Sequence, residues 1–145
     1  MFKNKNVLVT GGNGMIGRSL VNLLLERGAK VRVADINDPG NLSATIEFVK
    51  SDLRFFDQCI DLCSGMDYVF NVVGIKGSPK MSAERPADFM VPMLQFNTNM
   101  MEAAVSAGVK WYLYTSSVGV YSQAELFVED SVWSSTGTDK VVSFP

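Results

Sequence analysis

The run Thr10-Gly11-Gly12-Asn13-Gly14-Met15-Ile16-Gly17 constrains this chain more than any other feature. It lies between a short apolar stretch, Asn6 to Thr10, and a longer segment with apolar residues at helical spacing. Glycines at 11, 14 and 17 strip side chains from a turn that takes a strand directly into a helix packed on it. That turn is the first half of a β-α-β unit. The rest of the chain repeats the same alternation.

Ile16, Leu20, Leu23 and Leu24 mark a helix over Met15 to Arg27, with Gly28 as its stop. Lys30 to Asp35 is a second strand; Pro39, Gly40 and Asn41 form a loop; Ile46 to Val49 is a third strand. Asp52 is placed to cap a helix running through Phe56, Ile60 and Cys63. Tyr68 to Val73 is a fourth strand, apolar enough for burial on both faces. Gly74 to Pro86 reads as a loop. A long helix follows from Pro86 to Gly108, with Phe89, Met93, Met100 and Ala104 on one stripe and Pro92 predicting a kink or a break. Trp111 to Thr115 is a fifth strand; beyond Tyr121 the pattern weakens, and Ser134 to Thr138 is loop-like. No repeat or linker divides residues 1–145. Strands alternating with helices predict an α/β fold: a Rossmann-like, doubly wound parallel sheet of order 3-2-1-4-5 in a three-layer α/β/α arrangement. Ligands of such sheets sit at the carboxyl ends of the strands, near the switch between strands 1 and 4.

Composition narrows the chemistry. A chain of 145 residues, 47% hydrophobic, suits one globular domain. A net charge of -2 without a basic block argues against a nucleic-acid partner. Apolar runs such as Leu23 to Leu25 fall far short of the roughly 20 residues that span a bilayer. The opening Met1-Phe2-Lys3-Asn4-Lys5 carries no signal-like apolar region, which predicts a cytoplasmic protein. The chain has no histidine, which rules out Ser-His-Asp and Cys-His hydrolases. Cys59 and Cys63, four apart, match neither a C-x-x-C redox motif nor a metal site, so no metal is expected. Chemistry must come from Ser, Tyr, Asp, Glu, Lys or a bound cofactor.

A dinucleotide's pyrophosphate needs backbone N–H groups at a helix N-terminus with no side chain in the way. Gly11 permits the tight turn, Gly14 lets phosphates approach and Gly17 lets the helix lie close to the sheet. With Asn13, Met15 and Ile16 they form the expected cofactor loop; a structural glycine turn is the alternative. Asp35, at the tip of strand 2, can accept both adenosine ribose hydroxyls and would repel a 2′-phosphate, favouring NAD over NADP; a plain turn or cap is the alternative. Arg32 lies inside the strand and does not readily rescue NADP. Asp52-Leu53 can meet the adenine amino group, or Asp52 can serve as a helix cap. Val72, Val73 and Gly74 can floor the nicotinamide ribose, or the valines can be an ordinary buried strand end. Thr115, Ser116 and Ser117 place three hydroxyls at the ligand end of strand 5, more than a turn requires.

These pieces resemble the front half of the extended short-chain dehydrogenase/reductases, especially the nucleotide-sugar epimerases and dehydratases. The matching segments are TGGNGMIG, Asp35, Asp52-Leu53, Val72-Val73-Gly74, Asn99 to Lys110 and Tyr114 to Tyr121, in order. The resemblance implies that NAD accepts a hydride from a sugar hydroxyl. It implies that Ser117 is the active-site serine, holding the substrate oxygen and helping to stabilise developing charge. Tyr121 matches a V-Y pair that is usually structural.

Two departures stand beside it. The base of such enzymes is the Tyr of a Y-x-x-x-K motif. Here the residues four beyond Tyr68, Tyr112, Tyr114 and Tyr121 are Val72, Ser116, Val118 and Glu125, while Thr136 precedes Lys140 by four. In relatives that motif falls around where this chain stops, so the reading is an N-terminal part without the C-terminal substrate-binding half. A nucleotide sugar is then a partner only if that half is supplied. The family's supporting Asn falls on Met93. A non-enzymatic dinucleotide-binding or sensor module is the alternative function. An open edge on strand 5, with Val141 to Phe144 available to fold back or swap, predicts a homo-oligomer.

Overall fold

The computed structural model describes residues 1–40, 43–117, 121, 125–126 and 128–130. Its first strand, β1 (Asn6–Thr10), is flanked on both sides, which is why Val7 to Thr10 are all buried. The further elements are α1 (Met15–Glu26), β2 (Lys30–Asp35), β3 (Glu47–Lys50), α2 (Phe56–Cys63), β4 (Tyr68–Asn71), α3 (Pro79–Glu84), α4 (Pro86–Ser106) and β5 (Trp111–Tyr114). The five strands are parallel, in the order β3-β2-β1-β4-β5. The expected doubly wound topology is therefore observed. The chain divides into two compact units, residues 1–74 with 95–114, and residues 75–94 with 115–145. The whole sheet lies in the first.

Strand alternation sends Val7 and Val9, Val31 and Val33, and Phe70 to one face. There they form a core with Val21 and Leu24 of α1. Each fully buried side chain of this size contributes roughly 1.5–3 kcal/mol. Arg32 and Asn71 point to the opposite face. Arg32 binds carbonyls at the end of α2, and Asn71 meets Asn97 of α4. Helices thus cover both faces. Buried Cys59, Leu62 and Cys63 belong to α2, and buried Phe96, Met100, Ala103 and Ala104 to α4.

At the amino edge of the sheet, Asp67 ties three strands together. It accepts from the Asn6 N–H (3.1 Å) and Lys110 Nζ (2.9 Å), with Lys5 Nζ at 3.7 Å. The Lys110 hydrogen bond, helped by the Asn6 N–H, holds this carboxyl below its ordinary range.

Several expectations shift. Strand β3 starts and ends one residue late, and β4 and β5 are shorter, leaving Val72, Val73 and Thr115 outside the ladders. Asp52 does not cap α2, whose N-cap is Phe55 with no side-chain bond. Its Oδ1 instead accepts the Arg54 N–H (3.0 Å), a local turn closed three residues too early for a cap. The stretch from Gly74 to Pro86 contains α3, begun by Ser78 accepting the Met81 N–H and by Pro79 at the first turn. Helix α4 continues through Pro92. The ring removes one N–H within the first two turns, a loss that the rest of the helix tolerates. Ser134 to Thr138 and Val141 to Phe144 lie outside the described residues. Among the described residues no helix is long and apolar enough to cross a membrane, and no acid, His or Cys cluster fits a metal ion.

Candidate dinucleotide site

The glycine loop leaves β1 at Gly11, whose φ of 68° is in the left-handed region that favours glycine. Its N–H bonds the Ala34 carbonyl at 2.8 Å, tying the loop to the tip of β2. The Gly14 N–H closes the turn on the Gly11 carbonyl at 3.0 Å. Gly14 is the N-cap of α1 and offers no capping side chain; the first helical bond is Arg18 N–H to Gly14 O. The N–H groups of Met15, Ile16 and Gly17 therefore have no acceptor among the described residues. Met15 and Ile16 are 84% and 57% exposed. A Cβ on Gly14 would approach only the Gly11 carbonyl, at 3.1 Å, so the space before the helix is clear. At Gly17 it would stand 2.3 Å from the Gly11 oxygen, so the close approach of helix and loop requires glycine.

Asp35 ends β2 beside this loop. Its Oδ2 accepts the Asn13 N–H (3.1 Å) and its Oδ1 the Asn37 N–H (3.0 Å), while Asn13 Nδ2 donates to the Asn37 carbonyl (2.6 Å). A carboxylate has about four acceptor positions, so these two bonds leave room for hydroxyl donors. Arg32 is turned away, its Nη1 donating to the carbonyls of Leu62 (2.9 Å) and Ser64 (3.2 Å). Its Nε sits 3.0 Å from Glu47 Oε1, an ion pair whose angle does not make a hydrogen bond. Arg18 is nearer the site: its Nε donates to the Asn13 carbonyl at 2.9 Å, placing a cation at the loop. Sequence reasoning missed it, because an exposed arginine on a helix carries no signal of its own.

Asp52 is paired with Arg54, whose Nε lies 2.9 and 3.0 Å from the two carboxylate oxygens. The Arg54 bond pulls the Asp52 carboxyl below its usual range, so it remains ionised. The Leu53 side chain is buried, at 6% exposure. Asn99 of α4 holds that backbone, donating to the Leu53 and Arg54 carbonyls at 3.0 Å each. The stretch after β4 comes to the glycine loop. Val72 N–H reaches the Thr10 carbonyl (3.3 Å), and a Cβ on Gly11 would lie 2.9 Å from Val73 Cα. Gly74 is exposed.

Thr115 and Ser117 follow β5 and belong to the second unit; Thr115 is half-buried and Ser117 exposed. Met93, also in that unit, is half-buried in α4. In the first unit Tyr112 is half-buried, and its hydroxyl is pushed up to about 12 mainly by burial. It stays protonated at neutral pH. Burial likewise raises the Cys59 and Cys63 thiols to about 12 and about 11, and Cys59 Sγ donates to the Leu53 carbonyl. Both are inert core residues, as their spacing suggests.

Residues 7–138 match the model of the NAD dependent epimerase/dehydratase family. GDP-mannose 3,5-epimerase 1 of Oryza sativa subsp. japonica is 28% identical over 120 residues, covering 81% of this chain and 32% of that protein. A 3 beta-hydroxysteroid dehydrogenase/Delta 5-->4-isomerase of Mycobacterium tuberculosis is 33% identical over 119 residues, covering 79% and 32%. The structure of MoeE5 in complex with UDP-glucose and NAD superposes with a TM-score of 0.73 at 28% identity, covering 83% of this chain and 39% of that one. The chain thus spans about a third of the length of the curated relatives it matches. With the match extending over nearly all of its length, the chain belongs to the NAD dependent epimerase/dehydratase family.

Proposed function

We propose that this chain is the cofactor-binding part of an epimerase/dehydratase-type enzyme and that it binds NAD along the carboxyl edge of its sheet. The observation that carries this reading is the set of free N–H groups at Met15, Ile16 and Gly17, bordered by the Asp35 carboxylate. Three N–H donors at the positive end of a helix suit a pyrophosphate, and Arg18 adds a cation beside them. Asp35 takes the adenosine ribose hydroxyls through its remaining lone pairs and disfavours a 2′-phosphate. Asp52 and Leu53 border the adenine, while Val72, Val73 and Gly74 lie beneath the nicotinamide ribose. Bound NAD supplies the hydride acceptor.

The substrate side rests on Thr115 and Ser117, with Ser117 hydrogen-bonding the reacting oxygen of the substrate. Proton removal falls to a base that this sequence does not carry as a Y-x-x-x-K motif. MoeE5 is solved with a nucleotide sugar, which makes that class our choice for the parent enzyme. We also propose a cytoplasmic location and, from the exposed Trp111, Leu113 and Tyr114 on β5, self-association of the chain. Calorimetric titration with NAD and NADP tests the cofactor reading. NAD is expected to bind more tightly, and Gly14→Val to abolish binding by filling the pyrophosphate space. Equal or tighter NADP binding refutes the role of Asp35; unchanged affinity in Gly14→Val refutes the site.

A further inference from the structure

The turn from Asp52 to Phe55 carries β3 into α2. Its Phe55 N–H closes on the Asp52 carbonyl (3.1 Å), its Arg54 N–H on Asp52 Oδ1 (3.0 Å), and Gln58 Oε1 takes the Asp52 N–H (2.8 Å). The Leu53 and Arg54 carbonyls have no backbone donor among the described residues. One side chain of α4 serves both: Asn99 Nδ2 donates to each at 3.0 Å, and Cys59 Sγ adds a weaker bond to the Leu53 carbonyl. Asn99 is half-buried and stands beside Met100 and one turn from Phe96 and Ala103, all three buried. A leucine would pack there and suit the helix better. What the amide adds is two donors for two carbonyls. One N–H of the turn is left over, that of Leu53, which has no acceptor among the described residues. Each Asp52 oxygen already takes two bonds from Arg54, so the Leu53 N–H is the group of this turn that remains to read a base.

We infer that Asn99 is a positioning residue for the adenine side of the cofactor site, aiming the Leu53 N–H from α4. The N–H, the carbonyl and the side chain of Leu53 all leave one tetrahedral Cα. Asn99 pins the carbonyl and burial pins the side chain, so the N–H keeps one direction. The second bond, to the Arg54 carbonyl, locks the next peptide plane to the same helix. Adenine N1 carries a lone pair and accepts from a donor so placed. Hypoxanthine carries a proton on N1 and an oxygen at position 6, and offers that N–H no acceptor at N1. A turn held by Asn99 therefore discriminates between the two bases, and a loosened turn does so less.

This inference rests on the NAD reading, with Leu53 at the adenine, and its test keeps the two apart. The 145-residue chain, Asn99→Leu and Asn99→Asp are titrated calorimetrically with NAD and with nicotinamide hypoxanthine dinucleotide, well below the lowest unfolding midpoint. Asn99→Asp keeps the size of the side chain and loses its donors. The unsubstituted chain is expected to favour NAD about tenfold, the effect of roughly one hydrogen bond. In Asn99→Leu, NAD binding should weaken about fivefold and binding of the hypoxanthine dinucleotide by less than about twofold, so that the preference shrinks. Equal weakening of both ligands, or a lowered midpoint with neither dissociation constant changed, would show a merely structural role and overturn the inference. An unsubstituted chain that binds both dinucleotides equally also overturns it, since no base-reading donor is then left to position. Should Asn99→Leu fail to fold, the same ratio in Asn99→Asp decides alone. Should the unsubstituted chain not bind NAD, the site reading falls. The positioning role is then judged by hydrogen exchange at the Arg54 and Phe55 amides that close the turn. Faster exchange there in the Asn99 variant, with the β2–β3 ladder unchanged, upholds it; equal exchange overturns it.

Discussion

Gly17→Ala sets two effects of opposite sign against each other. Inside a helix, alanine is worth roughly 1 kcal/mol more than glycine, and Gly17 has an ordinary helical backbone that any residue adopts. Propensity alone makes the substitution stabilising. The added Cβ, however, would stand 2.3 Å from the Gly11 oxygen and 2.6 Å from Gly12 Cα, where carbon contacts want about 3.5 Å. Neither neighbour yields easily, because both are backbone and Gly11 is pinned by its N–H to Ala34 O. Helix α1 must therefore withdraw from the loop. Overpacking of this kind costs about 1–3 kcal/mol, and the rigid surroundings put it at the upper end. Set against the helical gain, the net loss is about 1–2 kcal/mol, a fall in the unfolding midpoint of about 3–8 °C for a chain of this size. Thermal unfolding followed by circular dichroism measures it. Gly74→Ala is the control: a Cβ there has nothing within 4 Å, so its midpoint should stay within about 2 °C. A Gly17→Ala chain as stable as the original, or more so, refutes the close-approach argument.

Two further outcomes follow from the other end of the sheet and from its edge. Because the folded Asp67 carboxyl titrates below its ordinary 3.8, the unfolded chain binds its proton more readily; the stabilisation is present above pH 3.8 and is lost as pH falls through the folded value. Asp67→Asn should lower the midpoint at pH 7 and close the gap as pH drops below about 4; a gap that persists on acidification contradicts this. Exposed Trp111, Leu113 and Tyr114 on β5 lead us to expect a dimer or larger species by light scattering. A stable monomer, both for the full chain and for one ending at Thr138, would show the edge to be protected.

The parts of this fold legible in the sequence were those with a strong local cause. Strands β1 and β2 and helix α1 carry clear periodicity, and Gly11, Gly17 and Gly28 punctuate them where backbone geometry allows little else. Helix α3 was missed although Ser78-Pro79 is an ordinary helix start, because a stretch rich in Gly, Ser and Pro reads first as loop. Asp52 was legible as important but not in its geometry. A cap and a tight local turn need the same residue type, and only the structure shows the carboxylate turned to Arg54. The bonds from Asn99 to the Leu53 and Arg54 carbonyls span 46 and 45 positions, beyond the reach of any periodicity. The trace they leave in the sequence is an asparagine in a largely apolar helix.

Asp35 has a consequence for redesign of the cofactor preference. On the reading proposed above, the carboxylate that takes the ribose hydroxyls is also the one bonded to the Asn13 and Asn37 amides, so one side chain would both discriminate and hold the loop in shape before any ligand arrives. Replacing it with a neutral or basic residue to welcome a 2′-phosphate frees two backbone donors at the same moment. The loop then samples more conformations and any dinucleotide must freeze them out, so affinity for the new cofactor falls short of what the altered charge alone would give. Selectivity and preorganisation cannot be tuned separately at this position. A successful switch needs a second substitution that returns acceptors to Asn13 and Asn37.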